Sequence, residues 1–261
     1  MTAGPVAKTD ALSVAAIAII AMLVVTFDHE ALGHGGMCLA LGGQITRLTS
    51  SLFRCSVPSA LIDPAGPITN LFVGTLALVA SRLTPPNRPG LSLFLLLVTS
   101  MSYFWEGGYV VQAMWEGSGD LYFAGRNYIG EPSLWWRISG AGLGVALFLL
   151  SVRLTSQTLL SLWPRNQARV VAQIAWMAST SAAVLAALVY KGGIGKDLHD
   201  AFMEIGAASI LLLVLPVRST LPPPQRPMSI RRSWPIAIFA LLAFATFTLT
   251  MGRGIGTIAL D

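Results

Sequence analysis

The sequence predicts an all-α integral membrane protein: a polytopic bundle of about six to seven transmembrane helices, with a short irregular or β-like segment after the first. Of the 261 residues, 54% are hydrophobic and only 11% are charged, whereas about 25% of the residues of a soluble domain are charged. Apolar stretches long enough to cross a bilayer recur along the chain, and no connection between them has room for a soluble domain. We therefore expect one multi-pass membrane domain over residues 1–261.

Seven apolar segments are the predicted spans, and turn-forming residues separate them. The first follows Lys8 and resembles a signal peptide, but Asp-His-Glu stands where a cleavage site needs small residues, so we expect this segment to be retained. Residues 44–60 are rich in Thr, Ser, Val and Ile and predict a short hairpin or a membrane-associated strand. In chain order the spans are about 11–40, 64–82, 91–115, 134–153, 168–190, 198–217 and 234–252.

The net charge of +5 comes from Lys and Arg residues in short loops between the apolar segments. This placement is typical of membrane topology determinants, and no basic stripe with interleaved aromatic residues indicates nucleic-acid binding. Ten basic residues on one face of the bundle against seven on the other predict a cytoplasmic N-terminus. The same topology brings residues 28–40, 63–70, 103–120 and 191–204, which hold most of the unusual polar side chains, to the opposite face.

The two cysteines, Cys38 and Cys55, are too few for a disulfide framework. A single bridge between them can form if their loop faces an oxidising compartment. Two unpaired thiols within the membrane are the favoured interpretation.

Residues 28–34, with the sequence DHEALGH, form the first candidate site. They contain two of the three histidines of the chain, His29 and His34, beside Glu30. Ionisable residues within a membrane segment are costly and usually functional. Two imidazoles and a carboxylate suit a zinc site in which the imidazoles bind the metal and the carboxylate serves as general base. The alternative is that these residues only mark the polar end of a span.

The spacing of the two histidines departs from the usual helical zinc motif. His29 and His34 are five residues apart, which on an α-helix places them on nearly opposite faces. A single π-bulge, a feature found at functional sites, would absorb the extra residue and bring the imidazoles together. Alternatively, Glu30 and His34, four apart, form the facing pair with His29 behind them. The bulge is the preferred prediction.

A second motif opens the next span at residues 63–70, with the sequence DPAGPITN. Gly66 permits close backbone approach, Pro67 suits a first helical turn, and Asn70 carries an amide into the bilayer. A histidine-glutamate motif in one span followed by Ala-Gly-Pro-x-x-Asn in the next resembles the site-2 protease family of intramembrane zinc metalloproteases, most closely its compact bacterial-type branch. The resemblance covers roughly residues 20–125.

This resemblance implies roles for individual residues and a location in a bacterial inner membrane. It implies a metalloprotease-like core over about 11–125, extra transmembrane helices over about 134–252, and a membrane protein or peptide as substrate. The roles it implies are metal binding for His29 and His34, general-base catalysis for Glu30, the third ligand position for Glu106 or Asp120, substrate binding for Asn70, and a structural motif near the site for Gly66 and Pro67.

The third ligand stays open between two carboxylates. Glu106 is followed by Gly where the family has Asp-Gly, and a ligand role is favoured over an ion pair with Arg126 or Arg137. For Asp120 the order is reversed, because Gly-Ser-Gly-Asp also predicts a loop turn.

A last polar group, His199, Asp200 and Glu204, opens the sixth predicted span. A helix cap is favoured over a place at the entrance to the site. The leading hypothesis for the whole chain is an intramembrane zinc metalloprotease. The alternatives are a catalytically inactive relative that binds metal or membrane partners, and a small transporter that uses the intramembrane carboxylates.

Overall fold

Helices dominate the structure, a computed structural model that describes residues 9–192, 194–216, 224 and 227–256. Two short strands form the only sheet within these residues. The α-helices are α1 (Ala11–Phe27), α2 (Gly36–Ala40), α3 (Ala65–Leu83), α4 (Pro89–Glu116), α5 (Asp120–Ile129), α6 (Leu134–Leu162), α7 (Arg165–Ala187), α8 (Ile194–Ala201) and α9 (Trp234–Phe247). Three π-helical segments, Asp28–Gly35, Phe202–Ala207 and Thr248–Gly252, and a 3₁₀ turn, Ile210–Leu213, continue some of these helices.

Five helical segments of the described chain are long and apolar enough to cross a membrane. They correspond to five of the seven predicted spans: Ala11–Ala40, Ala65–Leu83, Leu134–Leu162, Arg165–Ala187 and Trp234–Gly252. The predicted segment 91–115 is found within α4, a continuous helix whose buried face carries Ser, Thr and Glu side chains. α4 is not among the five segments.

The prediction of one continuous helix over residues 198–217 is wrong. α8 ends at Ala201, a π-helical segment follows, and a 3₁₀ turn ends the region. The indole N–H of Trp176 donates a hydrogen bond of 2.8 Å to the carbonyl of Gly206. This hydrogen bond ties the π-helical segment to α7.

The centre of the bundle is α1, which packs against α4, α7 and α9. Its start is fixed by Asp10, whose carboxylate accepts a 3.0 Å hydrogen bond from the Ser13 backbone N–H and pairs with Arg232. α4 in turn packs between α3 and α6. A Cβ on Gly107 of α4 would lie 3.0 Å from the carbonyl oxygen of Gly144 in α6, so small residues allow these two backbones to approach closely.

A two-stranded hairpin follows the first membrane segment, as predicted for residues 44–60. Strands β1 (Ile45–Leu48) and β2 (Phe53–Cys55) pair antiparallel. A disulfide joins Cys55 of β2 to Cys38 of α2, so the interpretation of two unpaired thiols is wrong. The hairpin folds back over α2 and brings the two Cα atoms to 5.9 Å, within the range that a disulfide requires.

Candidate metal centre

The two histidines of the first motif meet because the helix between them is π-helical. The hydrogen-bonding pattern over Asp28–Gly35 is that of a π-helix, in which each N–H bonds to the carbonyl five residues before it. Residues five apart therefore share a face, and the Nε2 atoms of His29 and His34 lie 3.2 Å apart. This confirms the predicted bulge. The alternative pairing of Glu30 with His34, with His29 behind them, is wrong.

Hydrogen bonds on the far side of each ring fix its orientation. The Nδ1–H of His34 donates a 2.7 Å hydrogen bond to the carbonyl oxygen of Ile62. The Nδ1–H of His29 donates to Oε1 of Glu106 at 3.0 Å, and Trp105 stacks on the His29 ring at 4.5 Å. In the neutral form that binds a metal, both imidazoles use Nδ1 as donor, which leaves both Nε2 lone pairs directed towards each other.

Asp120 completes the group. Its Oδ2 lies 3.3 Å from Nε2 of both His29 and His34, and the three ligand atoms all lie within 4.8 Å of one another. Asp120 reaches this position because α5 begins there, after a loop in which Gly117 and Gly119 adopt positive φ angles. The three ligand atoms are close enough for one cation to lie between them, and the same contacts also suit a protonated imidazole beside the Asp120 carboxylate. The three residues therefore form a group that can hold a metal ion.

Glu106 lies outside this group, which corrects the order in which the sequence ranked the two carboxylates. Its Oε1 accepts hydrogen bonds from Nδ1 of His29 and from the Asn70 amide, the latter at 2.8 Å. The His29 ring therefore separates Glu106 from the Nε2 atoms. A carboxylate in this position orients a ligand histidine and raises its basicity, so Glu106 and Asp120 have different roles.

Asn70 also lies behind the group. Its side chain is fully buried, its amide N–H donates to Glu106, and its amide oxygen accepts a 3.3 Å hydrogen bond from the Ser102 hydroxyl. Asn70 is not among the residues that line the adjoining cavity. Its position indicates that Asn70 supports Glu106, and the substrate-binding role that the resemblance implies stays a prediction.

Gly66 leaves the space that the two imidazoles occupy. A Cβ at this position would overlap Nε2 of His34 and lie 2.8 Å from Nε2 of His29. Pro67, the next residue, is buried in the first turn of α3, where its missing N–H costs no hydrogen bond. The start of α3 thus packs directly on the metal-binding face of Asp28–Gly35, as the sequence predicted for these two residues.

Glu30 is buried beside the group but keeps one oxygen without a partner. Glu30 is only 3% exposed. Its Oε2 accepts no hydrogen bond from any described residue. Glu30 lines the same cavity as the two histidines and Asp120. A buried carboxylate oxygen without a partner is costly unless a ligand or solvent molecule reaches it.

A cavity of about 640 Å³ opens over the group. All four polar stretches that the topology placed on one face contribute to its wall, together with the hairpin. His199, Asp200 and Glu204 belong to this wall, and because α8 begins at Ile194 they do not cap its start. The favoured interpretation of these three residues as a cap is therefore wrong.

The carboxylates around the cavity influence one another. Partial burial and the nearby charge of Asp120 raise the pKa of Asp63, which lines the cavity, against the opposing effect of a hydrogen bond from Asn127. Farther from the group, burial raises the pKa of Asp197, although its Oδ1 accepts hydrogen bonds from Thr49 and Ser51.

Sequence reasoning missed two neighbours of the group. Trp105, which directly precedes Glu106, stacks on His29. Tyr109 lines the cavity, and its hydroxyl accepts a 3.3 Å hydrogen bond from the backbone N–H of Asp120. Its position one helical turn after Trp105 and Glu106 was the available signal, because residues three and four apart share a helix face.

Comparison with protein-family profiles, with curated proteins and with solved structures finds no match to this chain. The fold and the site by themselves define a class: a polytopic helical protein with a buried group of two histidines and an aspartate beneath a polar cavity.

Proposed function

We propose that this protein is an intramembrane zinc metalloprotease that hydrolyses peptide bonds of membrane-embedded substrates. The observation that carries the proposal is the convergence of His29, His34 and Asp120 beneath a cavity that also contains the unpartnered oxygen of Glu30. A metal-ligand group with a free carboxylate beside it is the arrangement that metal-assisted hydrolysis requires.

Zinc fits the donor set, which Fe(II) also accepts, and we choose zinc because the motifs resemble a family of zinc metalloproteases. Two imidazole nitrogens and one carboxylate oxygen are ligands that zinc accepts, and catalytic zinc sites use three protein ligands and leave a fourth position open. His29 is oriented by Glu106 in the manner of a histidine that binds zinc. When bound, zinc would polarise the scissile carbonyl and lower the pKa of water.

Glu30 carries out the proton transfers of the reaction. Its carboxylate accepts a proton from the attacking water while the water oxygen forms a bond to the scissile carbonyl carbon. The same proton then passes to the departing amide nitrogen as the C–N bond breaks, which leaves a carboxylic acid and an amine. A carboxylate that lines the cavity suits both transfers, because it can accept the proton from water and hold it until the amide nitrogen takes it.

We propose that this chain is related to the site-2 protease family. One mismatch with the family motif, the extra residue between the histidines, is absorbed by the π-helical turn of Asp28–Gly35, while Glu106 in place of the family's Asp remains a second. The Cys38–Cys55 disulfide further supports an orientation in which the cavity faces an oxidising compartment, since Cys55 lines the cavity wall. This agrees with the predicted cytoplasmic N-terminus.

The test is a comparison of wild type with Glu30→Gln. Purified wild type is expected to contain one zinc ion per chain and to cleave a membrane-tethered reporter. Glu30→Gln is expected to keep the zinc and to lose cleavage by at least about 100-fold, since a general base contributes on the order of 10²–10⁴. Zinc without cleavage in either protein would reject proteolysis, and equal cleavage in both would reject Glu30 as the base.

Metal transfer is the second candidate function. His199, Asp200 and Met203 line the same cavity as the metal-ligand group, and their side chains are types that bind transition metals. A metal carrier would release zinc to a chelator within minutes and would not depend on Glu30 as a base. Zinc transport into vesicles that is unchanged in Glu30→Gln would favour this candidate.

A further inference from the structure

A second cavity, of about 360 Å³, lies between α4 and the π-helical segment Phe202–Ala207. We refer to it as the cleft. Its wall is formed mostly by apolar or small residues, and it extends as far as Phe148 of α6. Small residues face each other across the cleft and leave it open. A Cβ built on Gly108 would lie 3.5 Å from the Cβ of Ala208 and would meet no closer neighbour.

The cleft adjoins the cavity over the metal-ligand group. Four residues, Tyr109, Gln112, Met203 and Glu204, line both, and we refer to these four as the neck. Three of them carry polar side chains, and Tyr109 also bonds to the backbone of the ligand Asp120. An apolar space thus leads through a polar neck to the metal centre.

We propose that the cleft binds one face of the transmembrane helix of a protein substrate, and that the neck receives the locally unwound segment on its way to the metal centre. This inference rests on the proposed function and names the route by which its substrate arrives. The volume fits a few apolar side chains and not a whole helix, so the rest of the substrate helix stays in contact with lipid.

The polar neck is the reason to choose a peptide over a lipid as occupant. An unwound peptide exposes N–H and C=O groups that have no partners in hydrocarbon, and each such group is costly there. The phenol of Tyr109, the amide of Gln112 and the carboxylate of Glu204 supply partners at the place where unwinding must begin. A lipid acyl chain has no groups that need them.

The test fills the cleft without touching the metal centre. Gly108→Leu puts an isobutyl group into the cleft, whereas Gly108→Ala adds a methyl group at ordinary contact distance from Ala208. Gly142→Leu is the matched control, because a side chain at Gly142 of α6 meets no atom within 4 Å. Gly108→Leu should lower cleavage of a single-span reporter by about tenfold or more, while zinc content and cleavage of a short soluble peptide stay at the wild-type level.

Gly108→Ala and Gly142→Leu should cleave both the reporter and the soluble peptide as wild type does. Equal loss of cleavage on reporter and soluble peptide in Gly108→Leu, or no loss on either, would overturn the proposed route.

A second measurement is independent of cleavage. A photoreactive benzoylphenylalanine in place of Val111, which lines the cleft, should crosslink to the transmembrane segment of the same reporter in vesicles. Combining this replacement with Gly108→Leu in one chain should reduce the crosslink about tenfold or more. Crosslinks to lipid alone would overturn the route even if the protein is a protease. If wild type cleaves nothing, the proposed function fails, and the crosslink still decides whether the cleft binds a transmembrane segment.

Discussion

The two halves of the chain treat polar side chains in different ways. In the first half, residues 11–125, the buried side chains include Asp28, His29, Glu30, His34 and Glu106. In the second half, residues 134–252, Asp197 is the one buried side chain among the described Asp, Glu, His, Lys and Arg residues. The burial of the apolar windows does not separate the halves, since it is 61% and 28% in the first and 17%, 50% and 22% in the second.

The contrast shows where the fold accepts an energetic cost. Ionisable groups within a membrane protein are expensive to bury and are kept where they have a function. The first half brings its ionisable groups together around one point, with hydrogen-bonded supports behind them. The second half presents apolar side chains outward and contributes a wall of the cavity through α8 and the segment after it. Five predictions test this division, from the largest expected effect to the smallest.

The largest expected difference is in zinc binding, between a histidine of the first half and a histidine of the second half. His34→Ala removes one of three metal ligands and is expected to weaken zinc binding by more than about 100-fold, since loss of even a supporting group costs about 10–100-fold. His199→Ala, on the cavity wall, should leave zinc content unchanged. Metal analysis after dialysis against a graded chelator measures both. Equal effects of the two variants would remove the distinction between the halves.

The Cys38–Cys55 disulfide closes a loop of 17 residues around the hairpin. Replacing both cysteines by serine should lower the free energy of unfolding by about 3 kcal/mol, because the unfolded chain regains the entropy of an open loop. Thermal unfolding in detergent, with and without reductant, measures the effect. A reductant should shift wild type towards the double variant and leave the double variant unchanged. No shift in either protein would contradict the bridge.

Glu106→Gln should weaken zinc binding by about 10–100-fold without abolishing it. The amide keeps the shape of the side chain but removes the negative charge that supports His29. The control is Thr155→Val, which removes a buried hydroxyl of α6 in the second half. It should leave the zinc affinity within about twofold of wild type. A wild-type zinc affinity in Glu106→Gln would contradict the supporting role.

Gly66→Ala should destabilise the fold by about 1–3 kcal/mol, because the added methyl group overlaps the imidazole of His34. Gly142→Ala in α6, where the methyl group meets no neighbour, should be neutral or stabilising by up to about 1 kcal/mol. Unfolding in detergent followed by circular dichroism compares the two. A neutral Gly66→Ala would mean that α3 does not pack on the two rings.

The smallest expected effect concerns Asp197. Because burial raises its pKa, the folded state holds a proton more tightly than the unfolded state does. The stability that this contributes is present at low pH and is lost as the pH rises from the ordinary carboxyl value through the raised one. Asp197→Asn keeps an acceptor for Thr49 and Ser51, so its stability should vary less with pH over about pH 4–7. Parallel pH profiles of the two proteins would contradict this.

Much of the fold could be predicted because long apolar segments form helices and turn residues separate them. Helices long and apolar enough to cross a membrane stand at five of the seven predicted spans, and the hairpin and the convergence of four polar stretches also followed. The π-helical turn also followed, because only a bulge brings His29 and His34 together. The prediction for 198–217 failed because apolar length does not report the change from α-helix to a π-helical segment and a 3₁₀ turn.

The site was predicted less completely for a similar reason. Sequence spacing identified His29, His34 and Glu30, which share one helix. It ranked Glu106 above Asp120 because a Glu-Gly pair resembled the family motif, whereas the ranking depends on which side of the His29 ring each carboxylate reaches. The disulfide was likewise disfavoured because the hairpin that folds Cys55 back onto Cys38 is a tertiary feature.

The central claim is that His29, His34 and Asp120 bind one zinc ion. X-ray absorption at the zinc edge of the purified, zinc-loaded protein tests it directly. The predicted result is a first coordination sphere of two imidazole nitrogens with oxygen atoms, at about 2.0–2.2 Å and without sulfur, that is lost in Asp120→Ala. A sphere with fewer than two imidazoles, or the same spectrum in wild type and Asp120→Ala, would contradict it.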